Sequence, residues 1–150
     1  MKKLLILLCI SSLLACTNSE TKNKEAIPAT AAEHEHEPQK PGLNNGSKWN
    51  SDDITNKNVA ELEAILDRFT KSQPKLTSDF ISVGNELQTG LDKMIKECRM
   101  QGADHEALHQ WLEPLIGDVG QLKKVNDEKE ASKLVEKIRE RLNEYHQYFE

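Results

Sequence analysis

The sequence lacks the excess of basic residues that nucleic-acid-binding proteins carry. Its 150 residues include 20 Lys and Arg against 25 Asp and Glu, a formal net charge of −5. Binding to a phosphate backbone depends on clustered Lys and Arg, so we do not expect a nucleic-acid partner. The same balance disfavours a broad basic surface for anionic lipid headgroups.

Most catalytic motifs are also missing. The chain has no GxSxG nucleophile turn, no phosphate-binding glycine loop and no CxxCH for covalent haem. The HExxH spacing of zinc sites occurs once, at His105-Glu106-Ala107-Leu108-His109. A nucleophilic Cys98 activated by His105 is conceivable, but no oxyanion hole is evident beside it. We therefore expect a binding or structural protein and not an enzyme.

No apolar run reaches the roughly 20 residues that a membrane-spanning helix needs. The longest nearly continuous run extends from Leu4 to Leu14, after Lys2 and Lys3 and before Ala15. A short basic region, a short apolar region and a small residue are the parts of a signal peptide. We predict that residues 1–15 are a signal peptide that is removed.

The residues Leu13-Leu14-Ala15-Cys16 resemble the lipobox of bacterial lipoproteins. The resemblance implies cleavage before Cys16 and a diacylglyceryl thioether on that cysteine. Each buried methylene contributes about 0.8 kcal/mol of membrane affinity, so several acyl chains anchor a protein stably. Thr17, where inner-membrane sorting in enterobacteria uses aspartate, implies the outer membrane, facing the periplasm or the cell surface. Without Lys2 and Lys3 the mature chain has 18 basic and 25 acidic residues, a net charge near −7.

Cysteine is scarce, and its distribution excludes a disulfide framework. Cys9 lies in the signal peptide and Cys16 is assigned to lipid, which leaves Cys98 as the only thiol of the mature chain. The compartment outside the inner membrane permits disulfides. A single thiol there is expected to be buried, paired between molecules, or used as a metal ligand.

The segment after the lipidation site has few large apolar residues and is rich in Thr, Asn, Ser, Glu, Lys and Pro. Such a composition does not bury enough surface to offset chain entropy, so we predict a disordered tether over residues 16–50. Its average span is roughly 30 Å by the flexible-chain relation. His34 and His36 within it form either an accessory metal-binding patch or, as we favour, part of a solvated linker.

From residue 51 to residue 150 the apolar residues recur at helical spacing, with almost no strand signal. The stripes are Val59, Leu62, Leu66 and Phe69; Phe80, Leu87, Leu91, Met94 and Cys98; His105, Leu108, His109, Leu112, Leu115 and Val119; and Leu134, Val135, Ile138, Leu142, Tyr145 and Phe149. We predict an all-α domain, an antiparallel up-down-up-down four-helix bundle with one core.

Two pairs of metal-ligating residue types lie on neighbouring stripes. Met94 and Cys98 are four residues apart, as are His105 and His109, and this spacing places both members of a pair on one helical face. If the second and third helices form a hairpin that turns near Gly102, the two stripes face each other. The sequence therefore predicts that two sulfurs and two imidazoles converge at one end of the core.

Thiolate, thioether and imidazole ligands together favour copper. We predict that Cys98, His105 and His109 bind it, with Met94 or Met100 as a weak ligand. Zinc is an alternative that would use the cysteine and both histidines, and non-covalent haem with methionine and histidine axial ligands is another. The resulting function is metal resistance, storage or delivery, together with a metal-handling or envelope protein partner.

A competing interpretation needs no metal. Methionine on a helical stripe is usually core filler, and a buried free cysteine usually behaves as a small apolar residue. On this reading the protein is a structural or adaptor lipoprotein that presents a helical surface to a protein partner.

Overall fold

The structure is a computed structural model that describes residues 40–73 and 76–150. These residues form four helices and no strand: α1 (Asp53–Lys71), α2 (Thr77–Glu97), α3 (Gly102–Leu122) and α4 (Glu128–Tyr148). The predictions of an all-α domain and of four helices are confirmed. None of the four helices combines the length and apolarity needed to cross a membrane. The signal peptide, Cys16, His34 and His36 lie outside the described residues.

Aspartate side chains define where two of the helices begin. Asp52 precedes α1, and its Oδ1 accepts a hydrogen bond from the Thr55 backbone N–H at 2.6 Å. Asp127 does the same for α4, where its Oδ1 accepts from the Glu130 N–H at 2.8 Å. Each carboxylate satisfies a backbone donor that has no partner within the helix, which stabilises the helix by about 1 kcal/mol.

Each helix buries one apolar stripe in a single shared core. The fully buried residues include Leu62, Leu66, Leu87, Leu91, Met94, Leu108, Leu115, Leu122, Ile138, Leu142 and Tyr145. Helix α1 packs against α2 and α4, and α3 packs against the same two helices. Gly90 permits a close approach of α1 and α2, because a Cβ atom there would lie 2.7 Å from a methyl group of Leu62. The arrangement is consistent with a four-helix bundle.

Residues 40–52, which we call the N-terminal strap, are attached to the carboxyl end of the chain. The Trp49 N–H donates to the Tyr148 carbonyl at 2.7 Å, and the Glu150 N–H donates to the Trp49 carbonyl at 3.1 Å. The Ser51 N–H donates to the Glu150 carbonyl at 2.9 Å. These bonds join segments about 100 residues apart in sequence. They hold the strap against the end of α4.

The strap corrects the predicted boundary between tether and folded domain. The indole of Trp49 packs against the core, and its Nε1 donates to the Gly42 carbonyl at 2.6 Å. Lys40 forms an ion pair with Glu144 at 2.5 Å. The folded part therefore begins no later than residue 40, whereas composition placed its start at residue 51. The packing of Trp49 and the hydrogen bonds of Trp49 and Ser51 to residues 148–150 outweigh the polar composition of this stretch.

Candidate metal centre

A small pocket lies between the end of α2 and the beginning of α3, with a volume of about 50 Å³. Its lining consists of Met94, Ile95, Cys98, His105, Leu108, His109 and Leu112. Four of the five residues predicted as ligands of the core metal site therefore meet in one place. We call this cavity the α2–α3 pocket.

The α2 side of the pocket supplies the two sulfur-containing side chains. Met94 is completely buried, and Cys98 is a half-buried free thiol. Cys98 is the residue that ends α2, and its backbone N–H donates to the Met94 carbonyl at 2.9 Å. The last hydrogen bond of the helix thus links the two residues and keeps both at the pocket wall.

The α3 side supplies the two imidazoles, which touch each other. The rings of His105 and His109 have centroids 4.5 Å apart and planes at 82°, an edge-to-face contact. His109 Nδ1 is also 3.9 Å from a carboxylate oxygen of Glu113. No other described residue donates or accepts a hydrogen bond at the ring nitrogens of His105 or at the thiol of Cys98.

The expectation that both histidines lie on the core face of α3 is wrong. His105 is half-buried, and the side chain of His109 is 50% exposed. The buried stripe of α3 is centred on Trp111 and Leu115. Because successive helical residues are rotated by about 100°, this orientation places His105 at the edge of the stripe and His109 beyond it.

Cys98 and the two histidines are not grouped as a three-ligand site. Among residues 40–73 and 76–150, no three His, Cys, Asp or Glu side chains are grouped closely enough to bind a metal ion.

Met100, the alternative sulfur ligand, lies outside the pocket lining. It is half-buried in the turn between α2 and α3, and its sulfur accepts a hydrogen bond from the Ser51 hydroxyl at 3.7 Å. The structure thus places Met94, and not Met100, at the pocket wall. The sulfur of Met100 is instead engaged by the N-terminal strap.

A buried phenol lies on the other side of Ser51. The Tyr145 hydroxyl is 2.6 Å from Ser51 Oγ and 2.7 Å from Asn56 Oδ1. Burial raises the pKa of Tyr145 to about 12, against the opposing effect of the Ser51 hydrogen bond, and electrostatic interactions with Asp52 and Cys98 raise it further. The phenol is therefore neutral at physiological pH and available as a hydrogen-bond donor.

Two carboxylates connect the strap to the turn that carries the pocket. Asp52 Oδ2 accepts from the Arg99 backbone N–H at 2.9 Å, and Asp104 Oδ1 accepts from the Asn50 N–H at 3.0 Å. Burial tends to raise the pKa of Asp52, but hydrogen bonds from Thr55 and Arg99 hold it below its usual range. Sequence reasoning missed this connection, because only the helix-capping pattern around Asp52 signals it.

Comparison with known proteins finds no family model, no curated protein and no solved structure that matches this chain.

Proposed function

We propose that this protein is a lipid-anchored bacterial envelope protein that binds a soft transition metal ion, copper in particular, in the α2–α3 pocket. It acts as a binding protein for metal resistance, storage or delivery and not as an enzyme. One observation carries the proposal: Met94, Cys98, His105 and His109 line the same small cavity.

The chemistry of these side chains supports copper over harder cations. Thioether and thiolate sulfur are soft ligands that select Cu(I), and imidazole binds copper in either common oxidation state. Ile95, Leu108 and Leu112 complete an apolar lining that contains no carboxylate. Mg²⁺ and Ca²⁺ need several oxygen ligands, so such a lining disfavours them. Zinc seldom uses a thioether, so Met94 favours copper over zinc.

The size of the pocket also favours a single ion. Pockets for organic cofactors usually measure about 300–1,000 Å³, whereas this one measures about 50 Å³. A haem would require the helices to separate, while an ion requires only local movement of its ligands. His109 can contribute by rotating inward, since its ring is half exposed and is held only by the edge-to-face contact with His105 and a 3.9 Å contact with Glu113.

The proposal includes the anchoring and the topology expected from the sequence. The lipobox at residues 13–16 supports attachment of lipid at Cys16, and Thr17 favours the outer membrane. An up-down-up-down connection is supported by contacts between α1 and α2, where Asn58 bonds Glu97 at 3.1 Å and Glu61 pairs with Lys93 at 2.6 Å. The partner is the membrane, together with a metal-handling or envelope protein that receives or supplies the ion.

The test is a copper titration of the full-length protein purified in detergent. Cu(I) is titrated under reducing conditions and Cu(II) without reductant, in a background in which His34 and His36 are both alanine, so that the tether does not contribute. We expect one equivalent of Cu(I), with at least a tenfold loss of affinity in Cys98→Ser and in His105→Ala.

The matched control is His146→Ala, which removes an exposed histidine that pairs with Glu63 at 2.8 Å, away from the pocket. This variant should bind copper like the parent protein. Unchanged stoichiometry and affinity in both Cys98→Ser and His109→Ala would refute the site.

A structural or adaptor role is the second candidate. It is favoured by the lack, among the described residues, of three ligands already grouped for a metal. Ile95 would contribute to a partner-binding surface, because it is 51% exposed at the pocket edge. A protein that binds no copper and yet retains a specific envelope partner, lost in Ile95→Asp, would support this role.

A further inference from the structure

Three consecutive residues of the N-terminal strap bind the turn between α2 and α3. The Asn50 N–H donates to Asp104, the Ser51 hydroxyl donates to the Met100 sulfur, and the Asp52 carboxylate accepts from the Arg99 N–H. These contacts bracket the pocket. Arg99 directly follows Cys98, and Asp104 directly precedes His105.

The strap is itself held in place from the opposite side. The Ser51 N–H donates to the Glu150 carbonyl at 2.9 Å, and Ser51 Oγ lies 2.6 Å from the Tyr145 hydroxyl. Asp52 also caps α1 through Thr55. The strap therefore connects the turn to α1 and to the end of α4, so the turn cannot shift independently of these elements.

We call the contacts of Asn50, Ser51 and Asp52 with Asp104, Met100 and Arg99 the clamp. The positions of Cys98 and His105 depend on it, because Arg99 and Asp104 are their neighbours in the chain. Among the described residues, Cys98, His105 and His109 are not grouped as a three-ligand site, so we expect metal binding to bring the thiol and the imidazoles closer together. A shift of the Cys98 backbone would break the bond from Arg99 to Asp52. A shift of the first turn of α3 would break the bond from Asn50 to Asp104.

We propose that the docked strap holds the donors of the α2–α3 pocket apart, so that strap docking and metal binding oppose each other. This inference rests on the proposed function and adds its regulation. Coupling between two binding events is reciprocal. A weaker strap therefore increases metal affinity, and bound metal loosens the strap.

Asp52→Asn isolates the clamp from helix capping. Asparagine caps a helix about as well as aspartate, so the bond from Thr55 is retained. The amide replaces one carboxylate oxygen with a group that cannot accept from the Arg99 N–H. Asp104→Asn weakens the second contact independently. The matched control is Asp127→Asn, which makes the same change at the cap of α4, where the carboxylate bonds Glu130 and not the strap.

The experiment measures Cu(I) affinity of the full-length protein and its three variants in detergent, by competition with a chromophoric chelator. We expect Asp52→Asn to bind Cu(I) about tenfold more tightly, the effect of one lost charge-assisted hydrogen bond, and Asp104→Asn to bind it more tightly by a smaller factor. Asp127→Asn should bind like the parent. Hydrogen exchange at the Asn50 and Ser51 amides should accelerate when Cu(I) is bound.

The outcomes separate the two proposals. If the parent protein binds Cu(I) through Cys98 but the strap variants bind equally or more weakly, the coupling is refuted and the metal site stands. Slower exchange of the Asn50 and Ser51 amides with Cu(I) would also refute the coupling, because it would show that metal and strap stabilise each other. If the parent binds no Cu(I), the proposed function and the coupling both fail.

Discussion

The α3–α4 interface and the α2–α3 pocket differ in whether their polar side chains have bonding partners. At the interface, the buried carboxylate of Asp118 is 2.5 Å from the Arg141 Nε and 2.8 Å from the Lys137 Nζ. In the pocket, no described side chain hydrogen-bonds the Cys98 thiol or the His105 ring nitrogens. A buried charge must be paired because its desolvation costs several kcal/mol. Leaving a thiol or an imidazole without a hydrogen-bond partner costs less than leaving a buried carboxylate unpaired, so these groups remain available for a ligand.

The largest expected effect on stability is at the α3–α4 interface, where Asp118 is paired. Asp118→Ala leaves Arg141, whose side chain is 12% exposed, without its partner. We expect the free energy of unfolding to fall by about 3 kcal/mol, the lower end for a broken buried pair, since Lys137 remains half exposed. Denaturant unfolding measures this change. Glu113→Ala, on the exposed face of the same helix, should change stability by less than about 0.5 kcal/mol. Equal losses of unfolding free energy in the two variants would contradict the difference between the paired interface and the exposed face.

The second prediction separates packing from ligation in the pocket wall. Met94→Ala removes a fully buried side chain, so we expect a loss of about 2.5 kcal/mol in unfolding free energy. Met94→Leu keeps the volume and should cost less than about 1.5 kcal/mol. If Met94 is a ligand, the leucine variant should nevertheless bind Cu(I) more weakly than the parent. Wild-type affinity in Met94→Leu would assign this methionine to packing alone.

The third prediction concerns the phenol beside the strap. The pKa of Tyr145 in the folded protein is about 12, against about 10 in an unfolded chain. The folded state therefore holds its proton more tightly, so this contribution to stability is present below pH 10 and is lost as the pH rises toward 12. The loss should be about 2 kcal/mol. Unfolding free energies between pH 9 and pH 12, compared with those of Tyr145→Phe, isolate it. If the unfolding free energies of the two proteins changed with pH in parallel, they would rule out this contribution of Tyr145.

The smallest effect is expected at Asp52. Its pKa is lower in the folded protein than the usual 3.8, so its contribution to stability is present above about pH 4 and is lost as the pH falls through the folded value. Asp52→Ala should cost about 1 kcal/mol at pH 7, the usual cost of a lost helix cap. The difference from the parent protein should shrink in acid. A difference independent of pH would show that the carboxylate charge is not involved.

Local spacing was sufficient to predict much of the candidate site. Met94, Cys98, His105 and His109 flank a short turn, so the packing of α2 against α3 places them near one another. The helical stripes of α2 and α4 were predictable for the same reason, because periodicity expresses which face is buried.

The orientation of α3 was not predictable from spacing. His109 lies outside the core because Trp111 and Asp118 turn inward toward α4, where the Trp111 Nε1 donates to the Arg141 carbonyl at 2.7 Å. A polar aspartate within the buried stripe gives no apolar signal, so the stripe appeared to include the histidines. Only the partners supplied by α4 make this rotation favourable.

The sequence by itself determined that the domain is helical, where its helices lie, and that two sulfur-containing side chains and two imidazoles meet between α2 and α3. The tertiary structure decided how far those donors are from one another and what holds them there. Trp49 pairs with the chain end near Phe149, and Asp52 binds the turn at Arg99. Such bonds join residues distant in sequence, and they form only when the core has brought the ends of the helices together, so no local pattern encodes them.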